Sequence, residues 1–280
     1  MVATGFSIHV SRVMPIIMPG MTLPLTRLGR IRFVVVMALV GALAALLLPP
    51  LKQPQQYHQF ADARAWLGIR NFLNVISNAG FLLVGLVGLR FLWYESTQGT
   101  NRRFMEPAER VPYAAFFLGI IFTGLGSACY HWRPSDSTLV WDRLPMTVVF
   151  MSLLAATIAE RIDLKAGLRL LGPLILAGAA SVGYWRWNGN LWPYAVAQYY
   201  SILLVGLVVV LFPPRYSRNA DLLWVAALYA LAKLAEALDG RIFAISRFVS
   251  GHTLKHLVAA FAVWWVLRML VNSAGRKTKR

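Results

Sequence analysis

The chain contains a single cysteine, Cys129, among its 280 residues. One cysteine excludes an intrachain disulfide and a metal site built only from cysteines, so any metal must be bound through His, Asp or Glu. Charged residues are also scarce, at 14% of the chain, whereas an ordinary soluble domain has about 25%. This scarcity of charge disfavours a soluble domain.

Acidic residues are the rarer of the charged types: 11 Asp and Glu stand against 28 Lys and Arg, a net charge of +17. A protein that binds DNA or RNA needs its basic residues clustered in a patch or stripe. Here they occupy short gaps between apolar runs, as membrane orientation and anionic headgroups require. We therefore expect an integral membrane protein with no nucleic-acid partner.

Apolar runs dominate the rest of the sequence, in which 58% of residues are hydrophobic. A helix needs about 20 mostly apolar residues to cross a bilayer, with a range of about 17–25. Eight stretches qualify, and together they predict an all-α, polytopic bundle of transmembrane helices. They are Phe33–Leu48, Phe72–Trp93, Tyr113–His131, Leu139–Ala159, Leu168–Tyr184, Leu191–Phe212, Ala220–Leu238 and His252–Leu270.

The first stretch has an alternative interpretation, because it is short and follows Arg27, Arg30 and Arg32. A signal sequence has this form, but its cleavage site normally follows the apolar region. The Ala42-Leu43-Ala44 triplet lies inside that region. We therefore prefer an additional, uncleaved transmembrane helix over residues 33–48. Pro49-Pro50 and Pro213-Pro214 are predicted helix stops.

The organisation that follows is a basic N-terminal tail (1–32), the additional helix (33–48), a seven-helix domain (60–272) and a basic C-terminal tail (273–280). Eight spans place both termini on one side, and both tails are basic: Arg12 lies in the first, and Arg276, Lys277, Lys279 and Arg280 in the last. Basic segments stay on the cytoplasmic side. We expect both termini in the cytoplasm, a bacterial inner membrane, and the site described below toward the periplasm, with a eukaryotic endomembrane as the alternative location.

Ionisable groups inside a membrane are costly and usually functional. Three such places lie at one membrane face in this topology: Ser127 to His131, Trp141 to Arg143, and His252 to His256. Residues four apart share a helix face, so His252 and His256 can offer two imidazoles to one metal, as helical zinc sites do. The alternative is two interfacial histidines at a helix start.

His131 favours the metal interpretation, because a catalytic zinc usually has three protein ligands and one position for water. Ser127 lies one turn earlier on the same face, where its hydroxyl can bond the attacking water or a developing oxyanion. A carboxylate at Asp142 can move a proton from water to a leaving amine. The structural alternatives are a Ser127 bond to a backbone carbonyl and an Asp142 ion pair with Arg143.

The whole set is similar to a known pattern. Ser127-x-x-x-His131, Asp142 eleven residues after that histidine, and His252-x-x-x-His256 resemble the alkaline ceramidases and the wider CREST superfamily that contains adiponectin-type receptors. The stretch Asn71-Phe-Leu-Asn-Val-Ile-Ser-Asn78 also resembles the sequence of the family's first helix. The resemblance covers residues from about 60 to 270.

The resemblance implies a seven-helix core in which His131, His252 and His256 hold zinc, with Ser127 and Asp142 as catalytic residues. It further implies hydrolysis of the amide bond of a ceramide, or another N-acyl membrane lipid, to a sphingoid base and a fatty acid. A zinc-containing receptor-like or lipid-sensing protein with little turnover is the alternative. A transporter is disfavoured, because the sequence has neither repeated halves nor broken helices.

The sequence departs from the family before the first core helix. Eukaryotic alkaline ceramidases carry an acidic calcium-binding segment there, whereas Asp62 is the one acidic residue in Tyr57–Arg64. Calcium prefers six to eight oxygen ligands, so we expect no comparable calcium site, and His58 and Asp62 are candidates to lie over the zinc pocket.

Three charged residues of the seventh stretch, Lys233, Glu236 and Asp239, are spaced three apart. This spacing places them near one helix face, and a structural ion pair is favoured over a proton path. Lys255, between the two histidines, is expected to extend to the membrane interface or to attract an anionic group.

Overall fold

The computed structural model describes residues 25–97, 103–218 and 220–273. Most of these residues are helical, and the one β-type pairing among them is an isolated bridge between Trp66 and Ile69. The prediction of an all-α, polytopic bundle is confirmed. Residues 1–24 and 274–280 lie outside the described residues, as do the predictions for Arg12, Arg276, Lys277, Lys279 and Arg280.

The described residues form eleven α-helices. In chain order they are α1 Arg27–Leu47, α2 Phe72–Ile76, α3 Ala79–Thr97, α4 Arg110–Trp132, α5 Asp136–Arg161, α6 Leu164–Asn188, α7 Trp192–Ala195, α8 Ser201–Leu211, α9 Asp221–Ala237, α10 Asp239–Ser246 and α11 Gly251–Val271.

Seven helical segments within the described chain are long and apolar enough to cross a membrane. Two of them combine short helices: α2 and α3 form Phe72–Thr97, and α7 and α8 join through a π-turn to form Trp192–Leu211. The remaining predicted stretch folds as α9, whose 17 residues lie at the lower limit of about 17–25 residues needed to span. Each predicted apolar stretch is thus helical.

The first helix begins at Arg27, earlier than the predicted Phe33, because Thr26 caps it by accepting a hydrogen bond from the backbone N–H of Gly29. Arg27 and Arg30 then donate to the carbonyls of Ile162 and Leu211. Those carbonyls belong to helix C-termini, where unpaired carbonyls and the helix dipole favour a cation. The predicted tail residues 27–32 are therefore helical and hold α1 to α5 and α8.

Two glycines allow the helices of the site to approach closely. A Cβ atom added at Gly126 of α4 would lie 1.9 Å from the carbonyl oxygen of Trp141 in α5, and one at Gly251 of α11 would lie 2.1 Å from that of Ala235 in α9. Any larger residue would push the backbones apart. The two contacts bring α4 against α5 and α11 against α9, at one end of the bundle.

The middle of the bundle is an apolar core that includes Phe116, Phe117, Val205 and Val266. The start of α1 and the ends of α5 and α8 lie at one end of this core, where the contacts of Arg27 and Arg30 join them. At the same end, Arg103 donates to the carbonyl of Ser273, which follows α11. The end of α4, with His131, and the start of α11, with His252, lie at the opposite end.

Candidate metal centre

Three buried histidines meet where the end of α4 faces the start of α11. The Nε2 atom of His131 lies 3.1 Å from Nε2 of His256 and 3.3 Å from Nε2 of His252. Zinc–nitrogen bonds of 2.0–2.1 Å in a tetrahedron separate two nitrogens by about 3.3 Å. The three side chains fit a metal ion, and within the described residues they form the one group of His, Cys, Asp and Glu close enough to hold one.

A second layer of polar groups orients these histidines. Ser77 Oγ lies 2.8 Å from Nδ1 of His256, Asn71 donates to the backbone carbonyl of His131 at 2.8 Å, and the backbone N–H of His252 donates to Asp239 at 2.7 Å. The Ser77 contact is of the kind that fixes the ring orientation of a metal-binding histidine, and the other two hold the backbones of His131 and His252 in place.

The polar residues of the Asn71–Asn78 stretch contact the helices that carry the histidines. Asn74 is fully buried, and its Oδ1 accepts a hydrogen bond from Thr253 Oγ1 of α11 at 2.8 Å. The same stretch breaks the second span between α2 and α3, so the expectation of unbroken helices is wrong there, and Ser77 at the break lies 2.8 Å from His256. The motif therefore links the helix that carries two of the histidines to the start of the second span.

Ser127 and Asp142 lie together beside the histidines. Both residues are buried, and both line the same cavity as His256. The predicted alternative, an ion pair between Asp142 and Arg143, does not form. The guanidinium of Arg143 instead donates to Gln53 and stacks 4.2 Å from the Trp185 ring centroid. Asp142 is thus turned into the bundle with Ser127.

One cavity joins these groups. Ser127, Asp142 and His256 line it together with Lys255 and Glu236. A second, apolar cavity continues toward the middle of the bundle and shares five lining residues with the first: Phe81, Thr123, Met146, Tyr229 and Ala259. The combined space is polar beside the histidines and apolar beyond them.

A charged cluster closes the polar cavity on the α9 side. Lys233 pairs with Glu236, as the spacing predicted, and Lys255 also donates to Glu236 at 2.9 Å. The expectation that Lys255 extends to the interface is wrong, because its ammonium group points inward and lies 2.8 Å from Nε2 of His252. The Nε2 atom of His252 has one lone pair, so Lys255 and a metal ion compete for that lone pair. When a metal ion occupies it, Lys255 still has Glu236 as a hydrogen-bond partner.

Asp239 does not join that cluster. Its carboxylate accepts from two backbone N–H groups, those of His252 and Ala61. It therefore ties α11 to the segment of residues 49–71, which we call the cap segment.

The cap segment lies across the histidines. The ring centroid of Phe60 is 4.8 Å from that of His131 and 4.7 Å from that of His252. The predicted residues lie beside this contact: His58 bonds Tyr130 and Asp136, and Asp62 bonds Arg64. Phe60 is thus the aromatic cover of the metal centre.

Their surroundings keep two polar residues of the cap segment in fixed protonation states: Asp62 is ionised and Tyr57 is neutral. Burial raises the pKa of Asp62, but hydrogen bonds and the charge of Arg64 outweigh it and hold that pKa below its usual value. Burial, reinforced by the charge of Glu236, raises the pKa of Tyr57 well above its usual value. Tyr57 therefore remains a neutral donor to Glu236.

Comparison with known proteins gives one family match. Residues 31–167 match the model of a family described as dsRNA-gated channel SID-1. The matched segment resembles a membrane channel. It covers just under half of the chain, and it contains Ser127, His131 and Asp142 but not His252 or His256. A comparison with curated proteins finds no match.

Proposed function

We propose that this protein is a zinc-dependent intramembrane hydrolase that cleaves the N-acyl amide bond of ceramide-like lipids. The observation that carries the proposal is the shared cavity, on whose wall the Ser127–Asp142 pair lies beside His256 of the three-histidine cluster. A zinc that only stabilised the fold would need no buried carboxylate and hydroxyl next to an open space.

The shape of the cavity supports a lipid substrate. Its polar end can hold an amide and the neighbouring hydroxyl groups, with Tyr57, Glu236 and Lys255 as hydrogen-bonding partners. Its apolar extension runs between α3, α4, α5, α8, α9 and α11, where Phe116, Val149 and Val263 line it. An acyl chain can pass from the bilayer into this cavity without leaving an apolar environment.

Each residue of the site has its own role in the proposed hydrolysis. Zinc, when bound to His131, His252 and His256, lowers the pKa of water to about 7 and polarises a carbonyl. Asp142 accepts a proton from the attacking water and delivers it to the amide nitrogen, so that the C–N bond breaks to give a carboxylic acid and an amine. Ser127 lies beside Asp142 and donates its one hydroxyl proton to the oxygen on which negative charge develops.

We place the protein in a bacterial inner membrane with both termini cytoplasmic and the metal centre toward the periplasm. Arg27, Arg30 and Arg32 at the start of α1 support this orientation. These residues lie at the end of the bundle opposite the histidines, and positive charge favours the cytoplasmic side.

A channel-like function is the second candidate, favoured by the family match over residues 31–167. The expectation of no nucleic-acid partner stays a prediction beside it. Uptake of labelled double-stranded RNA into proteoliposomes, with a pure-lipid control, tests this candidate directly. RNA uptake without amide cleavage would support it, and cleavage without uptake would support the hydrolase.

The hydrolase is tested by fatty-acid release from ceramides, other N-acyl lipids and an ester-linked analogue. Purified wild-type protein should release fatty acid from at least one amide, and Asp142→Asn should reduce the rate by about 10²-fold or more, the usual contribution of a general base. Ser152→Ala, at a buried serine of α5 that lines neither cavity, is the control and should retain activity. Release from no lipid despite bound zinc would favour the receptor-like alternative.

A further inference from the structure

A second pocket opens at the histidine end of the bundle, outside the metal centre. It is lined by the last turn of α6, the start of α5 and the cap segment, through Lys52, Gln53, Asp136, Trp185, Arg186 and Gly189. The metal-centre cavity shares none of these lining residues. The pocket is therefore a separate feature.

The charge of this pocket favours an anion. Lys52 and Arg186 are exposed at its mouth. The one carboxylate in its lining, Asp136, already accepts hydrogen bonds from His58 at 3.1 Å and Gln55 at 3.4 Å. The Asp136 carboxylate therefore already has partners in the cap segment, and the positive charges of Lys52 and Arg186 can attract an anionic ligand.

A third cation, Arg143, contacts the lining of the pocket through Gln53 and Trp185. Arg143 is 4% exposed, and its Nη2 atom donates to Gln53, a residue of the pocket lining. Its Nη1 atom is buried and has no hydrogen-bond partner within the described part of the chain. A buried donor left unpaired carries a free-energy cost, which an incoming acceptor would remove.

Aromatic rings hold the Arg143 guanidinium in place. Its carbon lies 4.2 Å from the ring centroid of Trp185 and 4.7 Å from that of Tyr194. Stacking leaves the edge of a guanidinium free, and that edge is the part that binds phosphate or carboxylate through two parallel bonds. Arg143 is therefore preorganised for an oxyanion that displaces the Gln53 side chain.

The depth of the site matches that of lipid headgroups. Arg143 follows the first turns of α5, about 10 Å from the helix start at a rise of 1.5 Å per residue. Exposed Trp141 and Trp187 lie at the same end of the bundle, and tryptophan is enriched at the membrane interface. A duplex nucleic acid would need a longer array of cations than the two at this mouth.

We propose that the pocket bounded by Lys52, Gln53 and Arg186 binds the anionic phosphate or carboxylate headgroup of a membrane lipid, with Arg143 as the buried residue that the anion reaches. This site is independent of the proposed hydrolysis. A variant of the metal centre such as His252→Ala retains the site.

Native mass spectrometry of the full-length protein in detergent tests this proposal, with dioleoyl phosphatidic acid as the probe and phosphatidylcholine as the neutral reference. The double variant Lys52→Gln/Arg186→Gln should bind phosphatidic acid about tenfold more weakly, as expected for lost charge-assisted hydrogen bonds. Arg143→Gln should show a similar loss. The double variant changes only exposed residues, so it keeps the test valid if Arg143→Gln does not fold.

Arg241→Gln is the matched control, because Arg241 is an exposed arginine of α10 at the same end of the bundle. Its affinity should stay within twofold of wild type. An equal loss in this control, or no loss in the double variant, would overturn the proposal. Displacement of the lipid by millimolar inorganic phosphate would assign the site to a free anion, and displacement by a short RNA duplex would assign it to nucleic acid; either result contradicts a lipid site.

Discussion

At the residue scale, the five residues of the predicted site are brought together by the fold. Ser127 and His131 come from α4, Asp142 from α5, and His252 and His256 from α11. Their spacing made this visible in the sequence, because residues four apart share a helix face. Phe60 escaped sequence reasoning, since it contacts the site from a distant segment and no local spacing marks it. Glu236 was predicted as an ion-pair partner and Ser77 as part of the Asn71–Asn78 stretch, but their contacts with Lys255 and His256 come from the fold.

The contact between Ser77 and His256 leads to a prediction about metal affinity. Ser77→Ala removes the partner 2.8 Å from Nδ1 of His256, and loss of such an outer partner typically weakens metal binding by about 10–100-fold. Competition with a zinc chelator measures this change. Ser152→Ala, whose hydroxyl has no hydrogen-bond partner among the described residues, should keep the wild-type affinity; equal affinities in both variants would argue against an orienting role for Ser77.

At the element scale, apolar runs predicted the helices, but capping and backbone breaks decided their ends. Thr26 extends α1 toward the N-terminus, and the polar groups at Ser77 and Asn78 interrupt a run that hydropathy alone presents as continuous. The close approach of α4 and α5 could not be predicted either, because nothing in the sequence distinguishes Gly126 from the other glycines of apolar segments.

Gly126 gives a prediction about helix packing. Gly126→Ala sets a methyl group against the Trp141 carbonyl, so α4 and α5 must separate, at a cost of about 1–3 kcal/mol or more. The separation also pulls Ser127 from Asp142, so fatty-acid release should fall with Tm. Gly183→Ala in α6, where nothing lies within 4 Å, is the control and should leave both quantities at or above wild type. Unchanged Tm in Gly126→Ala would contradict the close contact.

The cap segment gives a prediction about access to the metal. Phe60→Ala removes the ring that covers His131 and His252, so a chelator should extract zinc several-fold faster than from wild type. The rate is followed with a chromogenic chelator in stopped flow. Phe248→Ala, at an exposed position of the same end, should release zinc at the wild-type rate. An unchanged rate in Phe60→Ala would show that the ring does not limit access.

At the scale of the whole molecule, composition and apolar periodicity were enough to predict the bundle, and the positions of the histidines were enough to place the site at one end. The apolar cavity could not be predicted, because its walls come from six helices whose relative rotation depends on packing. Cytoplasmic placement of the C-terminus remains a prediction. A C-terminal green fluorescent protein fusion should fluoresce and a phosphatase fusion should be inactive; the reverse result would invert the orientation.

The central claim is that His131, His252 and His256 hold a zinc ion on which lipid amide hydrolysis depends. The most direct measurement is elemental analysis of zinc in purified wild type, His252→Ala and His58→Ala, with fatty-acid release followed in the same preparations. His58 lies in the cap segment and contacts Tyr130 and Asp136 rather than the cluster. We predict one zinc per chain in wild type and His58→Ala, and loss of zinc and turnover together in His252→Ala. A zinc-free wild type, or a His252→Ala variant with full zinc and activity, would contradict the account.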